Sequence, residues 1–108
     1  MQRYLLIESR DPFESRSFAR RCELAAALAG EGAEVTVFLV ENGVLAARET
    51  ARVREIEHLG SLGVRVLADE FALRERGIPT AQLARAVRAA PLDALVTALG
   101  KGAKAMWN

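Results

Sequence analysis

The sequence predicts an α/β fold, a single three-layer Rossmann- or flavodoxin-like domain with a mainly parallel sheet of about five strands. Two observations carry this expectation. Short apolar runs rich in β-branched residues alternate with segments of helical period, the signature of parallel strands joined by right-handed crossovers. The length, 108 residues, suits one domain spanning residues 1–108, and no linker, internal repeat or low-complexity tract interrupts it.

Tyr4 to Ile7 is a continuous apolar run, as a strand buried on both faces requires. The polar stretch Glu8-Ser9-Arg10-Asp11-Pro12 ends it in a turn. From about Phe13 to Gly30 the period becomes helical, with Phe18, Cys22, Ala25 and Ala29 on one face. Gly30-Glu31-Gly32 stops this helix, and Val35 to Val40 is the clearest strand of the chain. After Glu41-Asn42-Gly43 a second helix is predicted from Val44 to Leu59, with Val53, Ile56 and Leu59 facing inward. Gly60 to Gly63 closes it, Val64 to Ala68 forms a third strand, and Glu70 to Arg76 a short helix. Thr80 is placed as a helix cap. Leu83 to Ala89 fits either a helix or a short strand. Pro91-Leu92 opens a last helix to about Leu99, and Ala103 to Trp107 is a closing strand.

Composition narrows the function. About half the residues are hydrophobic and about a quarter charged, which is ordinary globular chemistry. A net charge of +1, with arginines scattered among glutamates, gives no pull toward nucleic acid or an anionic membrane surface. No apolar stretch approaches the ~20 residues that cross a bilayer. The apolar run at the N-terminus is too short for a signal-peptide core. With Cys22 the sole cysteine, a disulfide-stapled secreted fold is excluded, and the cytoplasm is the expected location.

Several motifs are read as structure rather than chemistry. Gly30-Glu31-Gly32 closes a helix before a strand, the reverse of the dinucleotide fingerprint. Gly100-Lys101 lacks the upstream glycine of a phosphate loop and is read as a turn. Cys22 lies on the apolar face of the first helix, where a thiol behaves as a small hydrophobe. His58, the only histidine, is placed on the outer flank of its helix, so no Ser-His or Cys-His pair and no zinc site is expected. No cofactor and no metal is implied.

The carboxylates fall in more suggestive places. Glu8 follows the first strand, Glu41 and Asn42 the second, and Asp69 and Glu70 the third. In a parallel sheet these strand ends open on one edge, where ligands and reacting groups gather. Three chemistries suit such acids: capping of helix N-termini, oxygen ligation of a hard cation, or a general acid or base with a raised pKa. A small-molecule or metal-ion binding protein, with or without enzymatic activity, is accordingly one of two functional readings.

The other comes from a resemblance. Gly63-Val64-Arg65-Val66-Leu67-Ala68-Asp69-Glu70, running on to Arg76-Gly77-Ile78, resembles the active segment of the DsrE/DsrF-like sulfur-relay family (the DsrEFH/TusBCD type). Tyr4 to Ile7, Cys22 to Val35, Val37-Phe38-Leu39 with Glu41-Asn42-Gly43-Val44, and Lys104 to Trp107 resemble the family's other elements, in order. The resemblance implies a Rossmann-like domain assembling into trimers or hexamers and passing sulfane sulfur through a cysteine persulfide. Here Asp69 occupies the place of that cysteine, and Arg76 stands in the matching Arg-Gly pair. A carboxylate cannot carry a persulfide. The resemblance therefore implies a non-catalytic member, a scaffold or docking subunit that associates with itself or with related DsrE-like subunits. Trp107, a large aromatic near the chain end, is expected to be covered by a partner or by its own core.

Overall fold

The computed structural model describes all 108 residues. It contains five strands, β1 (Arg3–Glu8), β2 (Glu34–Leu39), β3 (Arg65–Asp69), β4 (Val87–Ala90) and β5 (Lys104–Trp107). The α-helices are α1 (Ser17–Gly30), α2 (Arg54–Ser61), α3 (Glu70–Glu75) and α4 (Asp93–Gly100). The strands form one sheet in the order β4-β3-β2-β1-β5, and every pairing is parallel. The α/β class, the strand count and the parallel sheet agree with the expectation from sequence.

Alternation along the strands divides two cores. Leu6, Val37, Val66 and Ala68 join Phe18, Cys22 and Ala25 of α1, Ile56 and Leu59 of α2, and Leu73 of α3 in a cluster of nineteen buried residues. The opposite-facing Leu5, Ile7, Phe38, Val40, Leu67 and Ala90 form a cluster of only six, covered by Ala94, Leu95 and Ala98 of α4. The central strands are apolar at successive positions because both of their faces are buried. Three helices thus cover one face and a single helix the other.

Several boundaries differ from the sequence reading, each for a local reason. The first helix begins at Ser17 rather than near Phe13. The Asp11 carboxylate accepts the Phe13 N–H (2.8 Å) and the Ser15 hydroxyl accepts the Ser17 N–H (3.2 Å), so side chains hold the intervening residues in turns. The single helix expected from Val44 to Leu59 is three pieces: 3-10 segments Glu41–Ala47 and Glu49–Ala51, then α2. Gly43, Val44, Ala46 and Ala47 are all buried in the first piece, and the chain leaves helical geometry directly after it, with ψ 134° at Arg48. Arg48 is extended and bridges Leu83, while Arg52 takes a left-handed conformation (φ 49°) ahead of α2. Thr80 caps nothing: a 3-10 turn Thr80–Gln82 follows Pro79 without a side-chain cap. Of the ambiguous stretch Leu83 to Ala89, Leu83 makes an isolated bridge to Arg48, Arg85 and Ala86 lie in a turn, and the strand β4 begins only at Val87.

Gly43 is the position with least tolerance. A Cβ there would lie 2.1 Å from the backbone oxygen of Glu8, so the loop after β2 rests directly on the end of β1. Gly43→Ala should lower stability by about 1–3 kcal/mol in urea denaturation, because backbone rather than a flexible side chain must yield. At Gly30 an added Cβ meets nothing within 4 Å, and Gly30→Ala should leave the midpoint unchanged or raise it.

Candidate functional site

At the carboxyl edge the chain leaves β3 toward α3 on one face of the sheet and β4 toward α4 on the other. Adjacent strands whose connections diverge leave a crevice between them. Here the crevice holds about 220 Å³ and is lined by Val40, Phe71, Leu92, Leu95 and Trp107 together with the acids Glu41, Asp69 and Glu75. No arginine or lysine lines it.

The candidate residues from sequence separate into distinct roles. The Asp69 carboxylate is buried and accepts the backbone N–H groups of Phe71 and Ala72 (both 3.3 Å), capping α3. Of the three chemistries open to the acids, capping is what Asp69 does. Glu70 is half-exposed in the first turn of the same helix. Glu41 is exposed and held at φ 47°, a strained backbone for a residue other than glycine. Asn42 accepts two hydrogen bonds from the Arg76 guanidinium (3.0 and 3.3 Å), and Arg76 also donates to the Ala72 carbonyl (3.2 Å). Arg76 therefore staples the end of α3 to the loop after β2. Gly77 then turns the chain out of α3 at φ 64°, a conformation that favours glycine.

Glu8 is not part of the crevice. Its side chain is 1% exposed, and Arg21 of α1 donates to it at 2.8 Å while the Asn108 amide donates at 3.0 Å. Arg21 also donates to the Met106 carbonyl (2.8 Å), and Asn108 to the Ser17 hydroxyl (3.1 Å). Burial pushes the Glu8 pKa above its ordinary value, an effect that Asn108 and Arg21 partly offset. The expected convergence of Glu8, Glu41, Asp69 and Glu70 is thus incomplete: Glu41 and Asp69 share the crevice and Glu8 serves a separate knot. No three His, Cys, Asp or Glu residues are grouped so as to hold a metal ion. Glu75, Phe71, Arg21 and Asn108 are functional neighbours that the sequence reading did not single out. The signal for Arg21 was its place one residue before buried Cys22, on the flank of a core-facing helix.

Cys22 lies in the main core, and burial, reinforced by the negative charges of Glu55 and Glu8, pushes its thiol up to about 12. His58 is exposed on α2, whose chain runs on into the start of β3, at the opposite edge of the sheet from the crevice. The crevice accordingly contains neither a thiol nor a nucleophile–base pair; its chemistry is that of acids and apolar surface. Trp107 is 64% exposed on its rim, so its own core does not cover it. No helix is long and apolar enough to cross a membrane.

No family model and no curated protein sequence matches the chain. Solved structures do. The crystal structure of the ychN protein from E. coli aligns over the whole of both chains with a TM-score of 0.91 at 22% identity. MTH1491 from Methanobacterium thermoautotrophicum, a protein of unknown function, also aligns over the whole of both chains, with a TM-score of 0.83 at 21% identity. BT1422 from Bacteroides thetaiotaomicron, a conserved protein of unknown function, has a TM-score of 0.76 at 18% identity over 97% of this chain and 94% of its own. At these identities the likeness is one of fold.

Two outcomes follow from the site's electrostatics. Near pH ~8 a thiol reagent should leave Cys22 of the folded chain almost unlabelled and react with it rapidly in denaturing urea, since only the thiolate attacks. Equal rates in the two states would contradict its burial. For Glu8, a pKa raised in the folded state means that the folded chain holds the proton more tightly than the unfolded one. Its contribution to stability is therefore fully present below the ordinary value of 4.5 and is lost as pH rises through the folded value. Relative to Glu8→Gln, the unsubstituted chain should become progressively less stable as pH rises from the ordinary value of 4.5 through the raised folded value; parallel curves would show that the group is not shifted.

Proposed function

We propose that this chain is a non-catalytic DsrE-like protein, an oligomeric scaffold or docking subunit linked to intracellular sulfur relay. The observation that carries the reading is the Asp69 carboxylate. It stands where the resembled family has its sulfur-carrying cysteine, and it is engaged by two backbone N–H groups of α3. The only thiol, Cys22, is buried on the core face of α1 and held protonated. An acid that serves as a helix cap keeps the shape of the strand-to-helix junction without its chemistry.

Self-association draws support from the thinly covered face. Leu92, Val96 and Leu99 recur at helical spacing along α4, and all three are exposed. Phe71 and Trp107 extend this apolar surface around the crevice, at 55% and 64% exposure. A soluble monomer rarely presents so many large apolar side chains on one side. A second copy of the chain is the occupant that the resemblance implies, in a trimer or hexamer.

A small-molecule binder at the same edge is the second reading, favoured by the three acids that line the crevice, of which only Glu75 has a paired cation, Arg76 at 3.8 Å. It has less behind it, since Asp69 is already committed to α3 and Glu8 lies elsewhere.

Light scattering at micromolar concentration should report an assembly several times the 11.7 kDa of one chain. Val96→Asp, at an exposed position outside both cores, should dissociate it without unfolding; a monomeric unsubstituted protein would remove the scaffold reading. Incubation with a persulfide donor followed by cyanolysis should release no thiocyanate. Stoichiometric release that Cys22→Ser abolishes would establish a sulfur carrier instead.

A further inference from the structure

A second hollow is distinct from the acidic crevice, although the Asp69–Ala90 pairing of β3 and β4 joins their margins. It holds about 900 Å³ and follows β4, the end strand of the sheet, which is hydrogen-bonded to β3 alone. Its lining includes Gly60 and Val66 from the three-helix side and Leu67 and Ala94 from the α4 side, so it wraps around the outer margin of the strand. A strand at this position leaves one row of backbone N–H and C=O groups unpaired.

Two features distinguish this margin. The first is charge. Arg65, Arg85 and Arg88 line the hollow, with Glu57 as its one acid. The ion pairs of the chain are Arg3–Glu34, Arg21–Glu8 and Arg76–Glu75, so none of these three guanidiniums has a carboxylate partner. The second is relief. Ala86, Ala89 and Ala90 project little, and a Cβ at Gly60 would lie 2.7 Å from that of Ala86, so α2 packs closely on the turn that leads into β4. A low and open strand flanked by unpaired arginines is suited to receive another backbone.

We propose that the open edge of β4 binds an extended acidic segment of a partner protein as a sixth strand, with the carboxylates of that segment on Arg65, Arg85 and Arg88. Strand addition supplies main-chain hydrogen bonds, and alternate side chains supply specificity. Arg85 stands in the turn before β4, Arg88 within β4 and Arg65 at the start of β3, so the three cations are spread over separate elements along the margin. Cations spread over separate elements suit the several carboxylates of an extended acidic segment better than one small anion. Two copies pairing β4 to β4 would set these arginines against one another, which disfavours this chain as its own partner at this edge. Nucleic acid is a weaker fit, because three arginines on a chain of net charge +1 give little phosphate neutralisation. Self-association through β5 would leave this edge open, as β5 lies at the other end of the sheet.

The test is fluorescence anisotropy with a labelled ten-residue peptide of alternating Glu and Val, and a copy carrying N-methyl groups on alternate backbone nitrogens. The expected results are saturable micromolar binding of the first peptide, weakened at least about tenfold by the Arg85→Glu/Arg88→Glu pair, and slowed amide exchange at residues 87–90. Both substituted side chains are exposed; should the double variant misfold, Arg85→Gln/Arg88→Gln replaces it with the same expected direction. The proposal is overturned by absence of binding, by equal affinity for the N-methylated peptide, or by affinity that survives the arginine substitutions. Tighter arginine-dependent binding of a single-stranded oligonucleotide at physiological salt would also overturn it, in favour of nucleic acid.

Discussion

The end of β1 holds the molecule's middle together. Glu8 accepts the Val40 N–H through its backbone carbonyl (2.9 Å), and that same carbonyl is the surface on which Gly43 rests. Its carboxylate gathers Arg21 from α1 and Asn108 from beyond β5. Three separate segments, the loop after β2, the first helix and the end of the chain, thus meet on one residue of the central strands. A buried ion pair is weak evidence of net stability, because desolvation offsets its Coulombic gain. Removing one partner is another matter, since an uncompensated buried charge costs about 3–5 kcal/mol. No buried side-chain polar atom in the chain is left without a hydrogen bond, so the knot is complete as it stands.

That knot decides what the carboxyl edge can do. In an open α/β sheet the acids at strand ends are available for ligands only where structure does not claim them. Glu8 is claimed by Arg21 and Asn108, and Asp69 by the first turn of α3. Asn42 is claimed by Arg76. What is left facing the crevice is Glu41, and Glu75 with Arg76 at 3.8 Å, among apolar side chains, a surface better suited to contact than to catalysis. The strain at Glu41, with φ at 47°, sits within this remainder. Backbone strain of this kind persists only where the surroundings enforce it, and here the enforcing element is the buried Gly43-Val44 stretch that follows.

The fold was legible from sequence because burial on both faces writes itself as unbroken apolar runs, at Tyr4 to Ile7 and Val35 to Val40, and no other common architecture demands that. The capping role of Asp69 was legible for a similar reason: an acid at a strand-to-helix junction has a near partner in the chain itself. The passage from Glu41 to Ser61 was not. Its composition is helical, and what breaks it, directly after the buried Gly43, Val44, Ala46 and Ala47, is the extended Arg48, which reaches Leu83, a contact 35 positions away. The Glu8 knot was equally hidden, since its partners lie 13 and 100 residues along the chain. Long-range polar pairs leave no periodic trace.

The same knot bears on β5, the strand with the weakest instruction in its own side chains. Register in a sheet is ordinarily set by the burial pattern, because a slip of one residue turns every inward side chain outward. Lys104, Ala105 and Trp107 are exposed and Met106 only half-buried, so a slip would cost β5 little apolar burial. Polar contacts take over the task. Arg21 holds the Met106 carbonyl, the Ser9 N–H and hydroxyl both donate to the Asn108 carbonyl (2.7 and 2.8 Å), and the Asn108 side chain reaches Glu8 and Ser17. Each of these bonds is lost if β5 shifts by one position along β1. The buried acid thereby fixes a strand that its own hydrophobic pattern leaves free, and with it the place of Trp107 on the rim of the crevice.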